Sequence, residues 1–247
     1  MFISRKLISF LFLSLLYFPL YLVHATESVL SYQQALDKFM GQQKKQKKDG
    51  GFSKSDKAIM KKSGEDLAKK MPSPGLTVGD KAPDFTLKNA FGNKVTLSNV
   101  LKKGPVILSF YRGAWCPFCS LQLHTLHKSM PTFKKYNAQL VLVTPQTPDK
   151  SKGQLEKGKY TFEVLSDLDS KVMKSYKLFY KLDADLVRVY KKHGLDVESF
   201  NGKGRNVLPV PGTYVIDKNS VIRAAYADTD YKKRMEPQAI IDALKKL

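Results

Sequence analysis

Cysteine, tryptophan and histidine are scarce in this chain of 247 residues, with two, one and four copies. Acidic residues are also few, 22 against 42 lysines and arginines, which leaves a formal charge of +20. Each shortage excludes something. The two cysteines, Cys116 and Cys119, are separated by Pro117 and Phe118. A disulfide across so short a loop constrains the unfolded chain very little, so the pair points to chemistry rather than to a structural staple. His124 and His127 follow too closely for a zinc-finger spacing. His124 also points away from the Cys119 side of the helix, so the histidines read as surface residues and no metal site is expected. No haem, flavin or nicotinamide motif and no internal repeat occurs, and a protein without bound cofactor is expected. The shortage of acids reflects lysines that are densest from Lys38 to Lys70. Aromatic residues do not interleave with them and arginine is the minor cation. This run therefore reads as the solvated face of a helical arm rather than a nucleic-acid surface.

The N-terminus carries the longest apolar run. Arg5 and Lys6 precede mostly apolar residues from Leu7 to Leu22, and Val23-His24-Ala25 supplies small residues for cleavage. This is the pattern of an export signal. The mature chain is expected to start at Thr26, exported and periplasmic, with no stable membrane insertion after cleavage. No cysteine follows the run, which excludes a lipoprotein signal, and no later segment is apolar enough to span a bilayer.

The stretch from Ser109 to Cys119 organises the rest. Pro105 to Tyr111 is a short apolar run with β-branched and aromatic residues, suited to a strand buried on both faces. Cys119, Leu123, Leu126 and Met130 then recur at helical spacing. Pro117 suits the first turn, where its missing N–H costs nothing, and Pro131 is expected to stop the helix. Both cysteines therefore fall at a helix N-terminus. Unpaired N–H groups and the positive end of the helix dipole favour a thiolate there, and a cysteine pKa can drop from about 8.5 to about 3.5–7.5 in such a place.

The remaining elements make an α/β chain. Residues 29 to 70 read as two helical pieces, divided by a polar break from Gly41 to Gly51, and Pro72, Pro74 and Gly75 form a linker. Residues 26–75 form the arm and 76–247 the main domain, and the arm is expected to be dispensable for the thiol chemistry. Residues 84–87 and 94–97 alternate around a turn and read as an N-terminal hairpin. Strand 105–111, helix 116–130 and strand 139–143 make a right-handed parallel unit whose functional end is where the cysteines fall. A loop and helix over 146–159, a strand over 162–165 and a helix over 170–176 follow. Residues 178–206 read as an insertion folded over the core. A second hairpin spans 213–217 and 221–225, and a helix closes the chain from Pro237.

The order βαβ then ββα, with Cys-X-X-Cys at the first helix, resembles the thioredoxin fold, and Trp115-Cys116-Pro117-Phe118-Cys119 resembles its active-site pattern. By that resemblance Pro211, in Pro211-Gly212-Thr213-Tyr214, takes the place of the cis-proline that presents backbone to a partner. A proline heading a strand is equally tolerable in trans. A longer likeness points to the peroxiredoxins. Gly79 to Leu87 resembles the opening of alkyl hydroperoxide reductase and thiol-specific antioxidant domains, and Phe110-Tyr111 stands before Cys119 at the spacing those proteins use before their peroxidatic cysteine. Arg112 to Cys119, with Leu208-Pro209-Val210-Pro211 and Asp228-Thr229-Asp230-Tyr231, is similar to a branch near the bacterioferritin-comigratory type.

That resemblance implies a thiol-dependent peroxidase. Cys119 would attack the hydroperoxide and Cys116 would condense with it to a Cys116–Cys119 disulfide. A thioredoxin-like dithiol would then reduce the pair. Three departures stand out. The proline and the hydroxyl residue usual in that family are Arg112 and Cys116 here, and its arginine is replaced by Pro211, so the chain must supply the hydroxyl and arginine functions otherwise or lack them. Arg112 could reach the thiolate from the loop, or face solvent; Trp115 could shield the pair, or be a purely structural wall. Two other readings stay open: a thiol-disulfide oxidoreductase acting on exported proteins, with Cys116 as the more exposed, attacking thiol, and a redox-inactive binding protein that keeps the fold.

Overall fold

The computed structural model describes residues 29–45 and 51–247. The export signal, its cleavage site and the lysines at 47 and 48 lie outside them. Two helices come first, α1 (Tyr32–Lys45) and α2 (Lys54–Lys70). Helix α1 runs through Gly41 to Lys45, so the expected break does not begin at Gly41; residues 46–50 lie outside the described ones. A glycine in a helix interior costs about 1 kcal/mol, and the packing of α1 on the domain outweighs it. Ser53 and Asp56 form a reciprocal capping box at the start of α2, which satisfies two of its orphan N–H groups.

The main domain continues with β1 (Thr86–Asn89), β2 (Lys94–Thr96), α3 (Leu97–Leu101), β3 (Val106–Phe110), α4 (Pro117–Lys135) and β4 (Gln139–Thr144). Next come α5 (Pro148–Gly158), β5 (Glu163–Ser166), α6 (Lys171–Ser175), β6 (Phe179–Lys181), α7 (Ala184–Lys192) and α8 (Glu198–Asn201). The chain ends with β7 (Val207–Pro209), β8 (Gly212–Ile216), β9 (Ile222–Ala227) and α9 (Pro237–Leu244). Seven strands form one sheet in the order β2-β1-β5-β4-β3-β8-β9. The three central strands β5, β4 and β3 are parallel, and hairpins flank them on either side. Both expected hairpins are therefore present, and the mixed sheet with helices is the thioredoxin-like arrangement.

Strand β3 shows how the pattern positions the site. Every residue from Val106 to Phe110 is buried, because both faces of the sheet are covered. Val106, Leu108 and Phe110 face the cluster containing Tyr176 and Tyr214, while Ile107 and Tyr111 face the cluster under α4 that holds both cysteines. Helix α4 continues past Pro131 to Lys135, a correction to the expected stop. An interior proline costs about 3 kcal/mol. Pro131 is exposed while Phe133 is buried and Met130 and Tyr136 pack against the core. At about 2 kcal/mol for each large apolar side chain covered, packing offsets the lost bond.

The region 178–206 does fold over the core. Strands β6 and β7 pair as a separate ribbon, and Leu182, Leu186, Tyr190, Val197 and Leu208 make a small core of their own, with Trp115 packed against it. The arm is not a loose appendage. Phe39 of α1 sets its ring edge-on to Phe118 of α4 at 5.8 Å. Asp56 of α2 is buried against α7, with Lys192 Nζ at 2.9 Å and His193 Nε2 at 3.0 Å. Among the described residues, no helix is long and apolar enough to cross a membrane.

Candidate active site

Strand β3 ends at Phe110 and the chain turns through residues 111–116 into α4. Cys116 occupies the N-cap position with Pro117 behind it, and Cys119 lies in the first turn. The turn is held by Gln146, whose Oε1 accepts from Ala114 N at 3.0 Å and whose Nε2 donates to Tyr111 Oη at 3.1 Å. Gly113 is required here: its φ is +146°, and a Cβ would stand 2.6 Å from Trp115 Nε1.

Both thiols are free and neither is open to solvent, with Cys116 1% and Cys119 0% exposed. Cys116 was expected to be the more exposed sulfur; the two are buried almost equally, so exposure does not distinguish them. Cys119 shares the inner face of α4 with Leu123 and Leu126, and Cys116 lies beneath Arg112 and the aromatic residues around it.

Arg112 does not face solvent. It is 3% exposed, its Nη2 donates to Tyr190 Oη at 2.8 Å and its Nη1 lies 4.0 Å from Cys116 Sγ. The guanidinium stacks over Trp115 at 4.8 Å and over Tyr231 at 4.3 Å. Trp115 bridges the cluster containing the cysteines and the small core of the 178–206 region, so it walls the arginine as well as the thiols. Arg112 Nε and Trp115 Nε1 are buried donors without a partner.

A second arginine, not singled out in the sequence, completes the arrangement. Arg234 is 7% exposed, and its Nη2 lies 3.5 Å from Cys119 Sγ. Its Nε donates to Gln122 Oε1 at 2.8 Å, and its Nη1 donates to the Lys233 carbonyl at 2.9 Å and to the Tyr231 carbonyl. Gln122 is itself fixed, because its Nε2 reaches Ser109 Oγ and Thr213 Oγ1, each at 3.3 Å. A long polar residue one turn after Cys119, among the apolar Leu123 and Leu126 and the small hydroxyls of Thr125 and Ser129, was the available clue to Gln122. For Arg234 the clue was weaker: an arginine directly after two lysines.

The electrostatics distinguish the sulfurs. Burial pushes the Cys119 thiol up, but the hydrogen bond from Cys116 and the Arg234 and Arg112 guanidiniums outweigh it and hold the pKa below the usual thiol range. Donating that bond, together with burial and the neighbouring Cys119 charge, pushes Cys116 well up. These opposite directions favour the thiolate form at Cys119 and the protonated form at Cys116 beside it.

Pro211 is buried and immediately precedes β8, where Gly212 pairs with Phe110. No cis peptide bond occurs among the described residues, so the cis geometry implied by resemblance is absent. Pro211 instead stands just before an interior strand, outside its ladder, where proline is tolerated in trans. His124 is exposed, and His127 packs edge-on to Tyr160 at 5.2 Å. Among the described residues, no three His, Cys, Asp or Glu side chains gather in a way that could hold a metal ion.

With this geometry in view, the comparisons with known proteins agree. The AhpC/TSA family profile matches residues 78–225. The chain belongs to the AhpC/TSA family. It is a peroxiredoxin-like protein with a thioredoxin fold. It is 30% identical over 172 residues to a chloroplastic peroxiredoxin Q of Sedum lineare, covering 70% of this chain and 77% of that protein. The chain spans 59–66% of the length of four further plant peroxiredoxin Q sequences. A thiol-disulfide oxidoreductase ResA of Geobacillus kaustophilus is 26% identical over 162 residues, covering 65% of this chain and 75% of that protein. The crystal structure of peroxidoxin BcpB from Mycobacterium tuberculosis superimposes with a TM-score of 0.56 at 20% identity, covering 70% of this chain and 98% of that one. Neither α1 nor Arg234 falls within the stretch that the family profile matches.

Proposed function

We propose that the chain is a thiol-dependent peroxidase that reduces hydrogen peroxide or organic hydroperoxides, with Cys119 as the attacking thiolate. The observation that carries this reading is the pair of buried arginines around the two sulfurs, with Arg234 Nη2 3.5 Å from Cys119 Sγ. It supplies the cation that the Pro211 position lacks. Cys119 thiolate attacks the terminal oxygen of the hydroperoxide, forming an S–O bond as the O–O bond breaks. Cys119 becomes a sulfenic acid, and the departing alkoxide or hydroxide takes up a proton to leave as alcohol or water. Arg112, with a buried donor to spare, faces the developing negative charge on oxygen. The Cys116 thiol then condenses with the sulfenic acid, releasing water and forming the Cys116–Cys119 disulfide. A thioredoxin-like dithiol restores both thiols by exchange and is itself oxidised to a disulfide.

The test is peroxide consumption by the purified chain and its single cysteine variants, followed by mass spectrometry after one equivalent of peroxide. Cys119→Ser should consume none, and Cys116→Ser should consume about one equivalent and hold a trappable sulfenic acid. Sulfenic acid confined to Cys116 would overturn the assignment. The likeness to ResA supports a second reading, exchange with protein disulfides through Cys116. It would show as mixed disulfides trapped by Cys119→Ser together with slow peroxide turnover in the wild type.

The first 25 residues are read as an export signal, which places the reaction in the periplasm. Sequencing the N-terminus from a cell fraction checks this: Thr26 is expected, and a cytosolic chain retaining Met1 would refute it.

A further inference from the structure

Arg234 sits in a segment without regular secondary structure, between β9 and α9. Such a segment would not hold a guanidinium in place unaided, and two of the residues that bracket Arg234 are tied to α1. The Tyr32 hydroxyl donates to the Lys232 carbonyl at 2.6 Å. The backbone N–H groups of Tyr32 and Gln33 donate to the two carboxylate oxygens of Glu236 at 2.9 and 2.8 Å. Glu236 thereby satisfies two orphan donors in the first turn of α1 and places a negative charge at the positive end of its dipole. It stands at the N-cap position of α9 as well. Its carboxylate makes no cap bond within α9 and turns to α1 instead, so this one residue links the starts of the two helices, with Arg234 two residues before it.

The contacts continue along the face of α1. Tyr32 is buried, Phe39 meets Phe118, and Phe118 meets Tyr231 at 5.4 Å. Tyr32 also shares the field of the site. Burial pushes its hydroxyl up to about 12, with Arg234 pulling the other way and the two cysteines adding to the rise. Both partners of this contact lie outside residues 78–225, so it is a feature of this chain's two ends rather than of the segment it shares with the family.

We propose that Tyr32 and Glu236 are positioning residues: α1 clasps the 232–236 segment and so fixes Arg234 against Cys119. The N-terminal arm is therefore part of the working site, contrary to the expectation that it is dispensable. The inference rests on the reading of Cys119, rather than Cys116, as the thiolate of the pair.

The sign of one measurement separates this role from simpler ones. In the full chain carrying Cys116→Ser, Cys119 is the sole thiol, and the pH dependence of its alkylation by iodoacetamide reports its pKa. Arg112, Arg234, Tyr32, Tyr111, Tyr180 and Tyr231 are charged or titratable groups around the two sulfurs. If Glu236 acted only through its own charge, Glu236→Gln would remove a nearby negative charge and lower the thiol pKa. If Tyr32→Phe merely loosened the site, water would enter and relieve the burial that raises it, and the pKa would again fall. Loss of position at Arg234 raises it. The expected result is a rise in both variants, slowing alkylation at acidic pH by a factor of about three to ten, equivalent to about half to one pKa unit. In the Arg234→Gln background neither substitution should have any further effect.

Tyr32→Phe keeps the ring in the core and changes no charge, so it gives the decisive result. An unchanged or lowered pKa in that variant, a lowered pKa in Glu236→Gln, or a rise that persists without Arg234 would each overturn the proposal. Alkylation requires no peroxide. A wild type that consumes no peroxide, together with these coupled shifts in the variants, would refute the peroxidase reading and leave the clasp standing.

Discussion

Arg112 and Arg234 approach the same pair of sulfurs from regions built in different ways. Arg112 belongs to the turn between β3 and α4, inside the family-matched stretch, and is held by two aromatic faces and one hydroxyl, with Nε unpaired. Arg234 comes from the C-terminal crossover, and its donors go to Gln122, two backbone carbonyls and Cys119 Sγ. Stacking tolerates sliding of a planar cation, whereas directed hydrogen bonds do not. The difference suggests a division of labour. On the proposed mechanism Arg234 would be a fixed charge that defines the thiolate, and Arg112 an adjustable one with a donor left for an incoming oxygen.

The strongest way to break this comparison is to remove the sulfur on which Arg234 acts. Cys119→Ser should lose peroxide consumption entirely, while Cys116→Ser, which leaves the Arg234 contact intact, should complete one turnover and stop. Peroxide consumption at wild-type rate by Cys119→Ser would remove the purpose assigned to Arg234.

Exchanging the arginines comes next. Arg234→Gln should reduce kcat/KM for peroxide by about 100-fold at neutral pH, the scale of losing one preorganised charge donor, and should raise the pKa for alkylation of Cys119. The sign follows from the cause: a cation removed from beside a thiolate favours the protonated form. In the wild type, reactivity should persist below the ordinary thiol range near about 8.5 and fall only as pH drops through the lowered pKa. Arg112→Gln should move the alkylation profile less, because Arg112 contributes less than Arg234 to lowering Cys119, yet still reduce the peroxide rate. Equal shifts of the two alkylation profiles would erase the distinction between them.

A milder change sharpens the same point. Tyr190→Phe removes the hydroxyl that accepts from Arg112 Nη2 at 2.8 Å and leaves the aromatic faces in place. A loss of a few-fold in peroxide rate, with an unmoved alkylation profile, is expected. A moved profile would mean that Arg112 helps to define the thiolate.

The two arginines also show what the sequence made legible. The buried strand, the helix with cysteines at its start, both hairpins and the folded-over region 178–206 all follow from local rules of periodicity and turn chemistry. Arg112 was visible because it lies four residues from Cys116. Arg234 was not, because its distance from Cys119 is set by how the sheet returns the C-terminus to α4, and nothing in Lys232-Lys233-Arg234 encodes that. The same holds for Tyr32 and Glu236, 204 residues apart in sequence. The misread features, Gly41 and Pro131, are local breakers that tertiary packing overrides. Cys116 was expected to be the more exposed cysteine because it precedes the helix; here Arg112, Trp115 and the aromatic residues around them cover it almost as fully as Cys119.

The smallest effect concerns the far side of Arg112. Tyr190 sits on α7, and α7 is latched to α2 by Asp56, whose carboxylate meets Lys192 and His193. Hydrogen bonds from Lys192 and His193, and from Ser53, hold the Asp56 pKa well below the usual carboxylate range, against its burial. A carboxylate with a depressed folded pKa stabilises the fold at pH values above its unfolded value, near about 3.9, and that contribution disappears as pH falls through the folded value. Asp56→Asn keeps the shape and much of the helix cap but removes the charge. It should therefore lower the melting temperature at neutral pH by a few degrees, with the gap to wild type closing in strong acid. The peroxide rate should change less than twofold, because the Tyr190 contact to Arg112 can survive a weakened latch. A melting temperature unchanged at neutral pH would show that Asp56 serves α2 as a cap and not α7 as a tether. A large loss of peroxide rate would instead show that the stacked arginine depends on its surroundings as strictly as Arg234 does.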